Sequence, residues 1–404
     1  FTLLFTKRFS AIKNKNLRLF ILLGLIVVSS LYFMRIGFIP PWNDIVKFNI
    51  ADLAFSFVLI VLIILSFSLL NKYFSKLTNY FVVLLLLFVC FIANESISMW
   101  DYSFILAPAL RIVHGFNLSD IYFQYDLLLS LLGALWMKLN IDINLFQVVG
   151  QASMFLFFIG IYIFSKRFFF NKKLPFFLLL SLLIVRHYAC MPSPSTLLQV
   201  TSLRLDLWLL VLFAVHYKGT YHWMTGLMLG LLVLVHKNFG LIYLISYSLL
   251  CFTLFLMEVM EIIQNKKTSV QSIKQIVFKH FFLTIKNILI LLVFFIVSII
   301  LFKGFVPESA VLYSKLGIGF IPISTTSFYW HIPVLYSLVV ILLFRHKGLI
   351  QSQYFNTGLL IIFLAICNSI YFFGRSHEHN IINISGILLL VLFLLFDLLK
   401  FDFE

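Results

Sequence analysis

The sequence predicts an all-α polytopic membrane protein of about twelve transmembrane helices, with juxtamembrane helices in one outer loop. Three observations predict it. Apolar residues make up 62% of the 404 and charged residues only 11%, where a soluble domain has roughly 45–50% and about 25%. The apolar residues gather into runs approaching the ~20 needed to cross a bilayer, and the mean hydropathy is +1.07. The Lys and Arg behind the net charge of +15 flank those runs, so they signal topology and not a nucleic-acid partner. Together these exclude a soluble globule, a disordered chain and a fibrous one. The 49 Phe argue against packing mainly through small residues. Cys90, Cys190, Cys251 and Cys367 form no CxxC and lie in or beside apolar runs, so neither a disulfide framework nor a zinc site is expected. The chain begins at Phe1 rather than Met, and its natural N-terminus is expected upstream.

In chain order the candidate spans are Leu19–Met34, Ala51–Leu70, Phe81–Ala93, Leu145–Phe164, Pro175–Val185, Leu203–His216, Trp223–Val235, Leu241–Glu258, Ile288–Phe302, Ile332–Phe344, Gly358–Phe373 and Ile384–Leu399. The first two make an N-terminal hairpin within residues 1–79. Residues 80–260 read as a central module with an outer loop at 94–144. Residues 261–404 read as a C-terminal module with outer loops at 303–331 and 374–380. Direction follows from the positive-inside rule. With Lys7, Arg8, Lys13, Lys15 and Arg18 in the cytoplasm, Lys72/Lys76, Lys166–Lys173, Lys266–Lys286 and Arg345/Lys347 fall inside as well, provided that Leu127–Met137 does not cross. That short run is therefore expected to lie along the outer face, and the next crossing to start near Leu145.

Ionisable groups that suit chemistry collect on the predicted outer side, where membrane depth makes them costly without a purpose. Glu95, Asp101, Asp120, Asp126, Asp206, Glu308 and Glu378 are there, with Arg186-His187, Arg204, His236-Lys237-Asn238 and Gly374 to Asn380. A carboxylate just outside a span end, roofed by surface helices, is placed to act as a general base towards a hydroxyl. Asp101 holds that position, and Glu95 is close by. The alternative for Asp101 is capping of a helix that begins at Ser103. Lys237, Arg375, His377 and Arg186 form a set of outer cations and imidazoles suited to a phosphate. Snorkelling to the interface is the alternative for Arg186 and Lys237, and Arg204 can pair with Asp206. His377 and His379, at i and i+2, do not share a helix face, so a metal pair is not expected there. GxSxG, Walker, GxGxxG and HExxH motifs are all missing from the sequence.

The segment Trp100-Asp101, Pro108-Ala109, Gly115, Asp120-Ile121 and Gln124-Tyr125 resembles the first outer loop of bacterial GT-C class polytopic glycosyltransferases. Lys237-Asn238-Phe239-Gly240 resembles a Lys-Gln/Asn-x-Gly turn in those proteins, Leu203-Arg204 an Arg that opens an earlier span, and Gly374-Arg375-Ser376-His377 a late outer-loop motif. The likeness covers about residues 80–400. Two departures stand beside it: two spans are expected before the loop where one is usual, and no soluble outer domain is expected within these residues.

The resemblance implies a GT-C-like catalytic module and a polyprenyl-phosphate sugar as donor. The sugar would be moved with inversion to a glycan, lipid or protein hydroxyl on the non-cytoplasmic face of a bacterial inner membrane. It implies Asp101 or Glu95 as the base, with Lys237, Arg375, His377, Arg186 and Arg204 around the donor phosphate. Asp120 would orient the acceptor or hold a divalent metal. Inverting transfer needs one base and no enzyme nucleophile, which fits the missing nucleophile motifs. Two other readings compete. One is a polymerase or ligase of polyprenyl-linked glycans, relying on outer Arg and His. The other is a flippase or transporter of lipid-linked oligosaccharides, for which mid-span charges, broken helices and an internal repeat are expected.

Overall fold

The computed structural model describes residues 77–91, 99–123, 126–188, 198–264, 270–302, 323, 325, 327–373 and 378–402. Every regular element among them is helical. The helices are α1 (Leu77–Phe91), α2 (Met99–Val113), α3 (Asp126–Lys138), α4 (Gln147–Phe168), α5 (Leu174–Leu182), α6 (Ser202–Leu205), α7 (Trp208–Lys218) and α8 (Trp223–Val235). They continue as α9 (Lys237–Gln264), α10 (Val270–Phe302), α11 (His331–Arg345), α12 (Ser352–Asn368), α13 (Ile370–Phe373), α14 (Glu378–Asn383) and α15 (Ser385–Leu398). Short 3-10 turns occupy Leu118–Asp120, Ile143–Phe146, Leu198–Val200 and Phe328–Trp330, and a π-helical stretch at Leu183–Tyr188 prolongs α5.

Five segments are long and apolar enough to cross a membrane: Ile143–Phe168, Lys237–Gln264, Lys274–Phe302, Phe328–Arg345 and Ser352–Phe373. They answer to five of the expected spans. Five others (Phe81–Ala93, Pro175–Val185, Leu203–His216, Trp223–Val235 and Ile384–Leu399) correspond to shorter apolar helices. Leu19–Met34 and Ala51–Leu70 lie outside the described residues. The expected span Leu203–His216 is two helices, α6 and α7, separated at Asp206-Leu207. The basic stretch Lys266–Lys286, expected as an inner loop, is helical from Val270 onward. Its residues are mostly straight-chain or apolar with neither Gly nor Pro, so little interrupts the helix before the apolar run begins. At 33 residues α10 is about 50 Å long, well over the ~30 Å of a hydrocarbon core.

The core lies among α4, α5, α7, α12 and α15, filled by Phe157, Phe158, Phe164, Trp208, Leu360 and Phe393. Contacts sort the helix ends into two groups. At one end Lys166 Nζ donates to Asn79 Oδ1 at 2.9 Å. Buried Asp397 accepts from the Phe170 and Asn171 amides at 3.0 and 2.8 Å and from Tyr354 Oη at 2.8 Å. Lys347 Nζ meets Glu261 at 2.6 Å at the same end. The expected cytoplasmic groups Lys166–Lys173 and Arg345/Lys347 thus share one end. Lys237, Phe302, Phe123, Arg204 and Tyr371 gather at the other.

The loop before α4 starts and returns at that second end. Gly115, with φ +81°, ends α2, a left-handed residue being the usual way to close a helix. Phe123 then packs edge-on against Phe302, with centroids 6.2 Å apart. At the far end of α3, Trp136 packs against Phe146 at 5.6 Å, just before α4 begins. Helices α2 and α3 pack on one another, with Gly133 of α3 facing the Ala109 methyl.

Candidate active site at one end of the bundle

Lys237 is the first residue of α9, set apart from α8 by the single residue His236. So tight a junction needs Gly240, since a Cβ there would collide with the Leu232 backbone. The Lys237 ammonium lies 5.6 Å from the centroid of the Phe302 ring. Phe302 is also the ring that Phe123 meets, so one aromatic residue joins Lys237 to the loop after α2. Asp120 lies three residues before Phe123. Its exposed carboxylate accepts from Ser119 Oγ at 2.9 Å and Asn117 Nδ2 at 3.2 Å.

A second line of contacts leads from α9 to the late motif. Phe239 packs against His236 at 5.1 Å and Tyr371 at 5.8 Å. The Arg204 guanidinium carbon stands 5.6 Å from the Tyr371 centroid. Tyr371 belongs to α13, whose Phe372 stacks on Tyr329 at 5.0 Å and whose Phe373 meets the same ring at 5.1 Å. Residue 374 follows directly, and α14 resumes at Glu378 with Ile381 and Ile382 buried. The N-terminal flank of the segment bearing Arg375 and His377 is therefore anchored at Tyr371, beside Arg204 and Phe239. Arg375, His377 and Glu95 lie outside the described residues.

Asp101 is within α2, which begins at Met99. The expected cap of a helix starting at Ser103 is therefore not its role. Arg186 is not an open cation. Its side chain and that of Asp206 are both 0% exposed, and Nη2 pairs with Asp206 Oδ2 at 2.9 Å. Asp206 thus pairs with Arg186, 20 residues earlier, instead of the expected Arg204. Asp206 follows the last residue of α6 in a non-helical conformation (φ −122°, ψ 15°), and from there its carboxylate meets Arg186. Among the described residues no three His, Cys, Asp or Glu side chains gather into a metal site.

The residues that sequence reasoning passed over here are aromatic: Phe123, Phe302, Tyr329 and Tyr371. Each sits in an apolar run among many like it, and nothing in a periodic pattern marks a ring that will border a cation. Compared with protein-family models, with curated proteins and with solved structures, the chain matches none.

Proposed function

We propose that the chain is a membrane glycosyltransferase, moving a sugar from a polyprenyl-phosphate donor to an acceptor hydroxyl on a glycan, lipid or protein. The transfer inverts the anomeric centre and takes place at the Lys237 end of the bundle, the non-cytoplasmic face of a bacterial inner membrane. One observation carries this reading. Lys237, Arg204 and the Tyr371 flank of the Arg375–His377 segment meet at the end where Phe123, three residues after Asp120, packs on Phe302.

Asp101 takes the proton from the acceptor hydroxyl, with Glu95 as the other carboxylate in reach of that role. The acceptor oxygen attacks the anomeric carbon on the face opposite the phosphate. The bond from that carbon to the phosphate oxygen breaks, and its electron pair leaves with the lipid phosphate. Lys237, Arg204, Arg375 and His377 meet the negative charge that develops there, where low dielectric makes fixed cations worth more than in water. Asp120, held by Ser119 and Asn117, orients the acceptor.

The test is donor binding by the purified protein in lipid nanodiscs. Lys237→Ala and Arg375→Ala should each weaken binding of a polyprenyl-phosphate sugar by about tenfold or more. Wild-type affinity in both variants would refute the donor site. A second reading, a carrier for lipid-linked glycans, draws on the buried Arg186–Asp206 pair beside a π-helical stretch. A carrier would move an intact lipid-linked glycan across a proteoliposome membrane without forming a new glycosidic bond.

A further inference from the structure

We infer that Arg186 is a positioning residue: its guanidinium grips both ends of the one-turn helix that carries Arg204, and so sets where Arg204 points. The inference rests on the donor-phosphate reading of the Lys237 end. A single nitrogen, Nη2, donates to the Val200 carbonyl oxygen at 2.6 Å and to Asp206 Oδ2 at 2.9 Å. Val200 ends the turn before α6 and Asp206 follows its last residue, so the two acceptors bracket the helix. Inside the bracket, Thr201 Oγ1 donates to the Leu198 carbonyl at 3.0 Å and Ser202 Oγ reaches Met154 Sδ of α4 at 3.0 Å.

A helix of four residues cannot hold itself, because nucleating one turn costs more than its own hydrogen bonds return. Its orientation has to come from tertiary contacts, and the buried guanidinium is the charged one. The pair is also poorly satisfied for a purely stabilising contact. Among the described residues, Arg186 Nε and Nη1 find no hydrogen-bond partner. A buried ion pair in that condition adds little net stability, yet it fixes the chain on both sides of Arg204. The α15 helix leaves room for it: a Cβ at Gly386 would sit 2.7 Å from Asp206 Oδ1 and 3.4 Å from Trp208 Cζ2.

Two variants test this in nanodiscs. Arg186→Gln with Asp206→Asn removes both charges together, so neither is left buried and unpaired. Gly386→Ala crowds the carboxylate and changes no charge. Amide hydrogen exchange over residues 198–206 should speed up by about tenfold or more in both, while α4 and the rest of α15 keep wild-type rates. Donor affinity should fall by about tenfold, and the double variant should cause no further fall in an Arg204→Ala background, because Arg186 acts through Arg204. Unchanged exchange across 198–206 in Gly386→Ala and in the double variant would overturn the inference. An additive loss of affinity on top of Arg204→Ala would overturn it too. Should the double variant not fold, Gly386→Ala decides alone. Faster exchange with wild-type donor affinity in Arg204→Ala would keep the bracket and refute the donor reading instead.

Discussion

The Lys237 ammonium rests over a ring face, an arrangement worth roughly 0.5–2 kcal/mol depending on desolvation. A phosphate offers a full charge and several acceptor oxygens, so it outcompetes the ring. Lys237→Met keeps the apolar stem and removes the charge. It should lower donor affinity by about 10- to 100-fold with an unchanged melting temperature, read by lipid-donor titration and thermal unfolding in nanodiscs. Asp397 predicts the opposite pattern. It holds two backbone amides and the Tyr354 hydroxyl at the far end of the bundle. Asp397→Ala should cost about 2–4 kcal/mol of stability through stranded buried donors, visible as a lower melting temperature, and leave donor affinity alone. Single residues were legible in the sequence only as far as residue type reaches. Lys237 and Arg204 stood out as charges in apolar surroundings. The partner of Asp206 did not, because Asp206 has already left the helix that carries Arg204 and its true partner is 20 residues away.

At the level of elements, α8 and α10 form a close pair with its own sequence logic. Gly226 and Gly230 fall four residues apart on one face of α8. A Cβ at Gly226 would lie 2.8 Å from Asn287 Cα, and one at Gly230 would collide with the Phe294 ring. Small residues at that spacing let two helices approach where lipid supplies no hydrophobic drive. Gly226 faces backbone, which cannot step aside, whereas Phe294 is a side chain. Gly226→Leu should therefore destabilise more than Gly230→Ala, by about 1–3 kcal/mol of overpacking or more, measured by thermal unfolding in detergent. Element identity was readable from apolar runs, and element length less so. Basic residues before Ile288 suggested a loop, but Lys and Gln are good helix formers, and Lys279 and His280 find Glu258 of α9 at 2.6 and 2.9 Å. The break at Asp206 was hidden because α6 and α7 read as one apolar run.

Over the whole molecule, the helix ends divide into a Lys-rich end tied by Asp397 and an end where Lys237, Arg204 and the α2–α3 loop meet. That division follows the charge pattern along the chain, which is why topology could be argued from Lys and Arg alone. The gathering of the site could not, since it depends on rings that bridge segments over 100 residues apart, as Phe239 and Tyr371 do. Single-cysteine labelling tests the arrangement: Asn140→Cys and Asn238→Cys should react with an impermeant reagent from one side of the membrane, and Lys172→Cys from the other. Labelling of Asn140→Cys and Lys172→Cys from the same side would break it. Base-assisted sugar transfer at the Lys237 end is tested by turnover of Asp101→Asn in proteoliposomes supplied with a polyprenyl-phosphate sugar and acceptor. Asn keeps the shape and has a helix propensity close to that of Asp, but it cannot take the proton. The variant should fold and bind donor normally, with turnover lowered by roughly 10²–10⁴. Loss in Glu95→Gln instead would move the base to Glu95, and full turnover in both variants would contradict the mechanism.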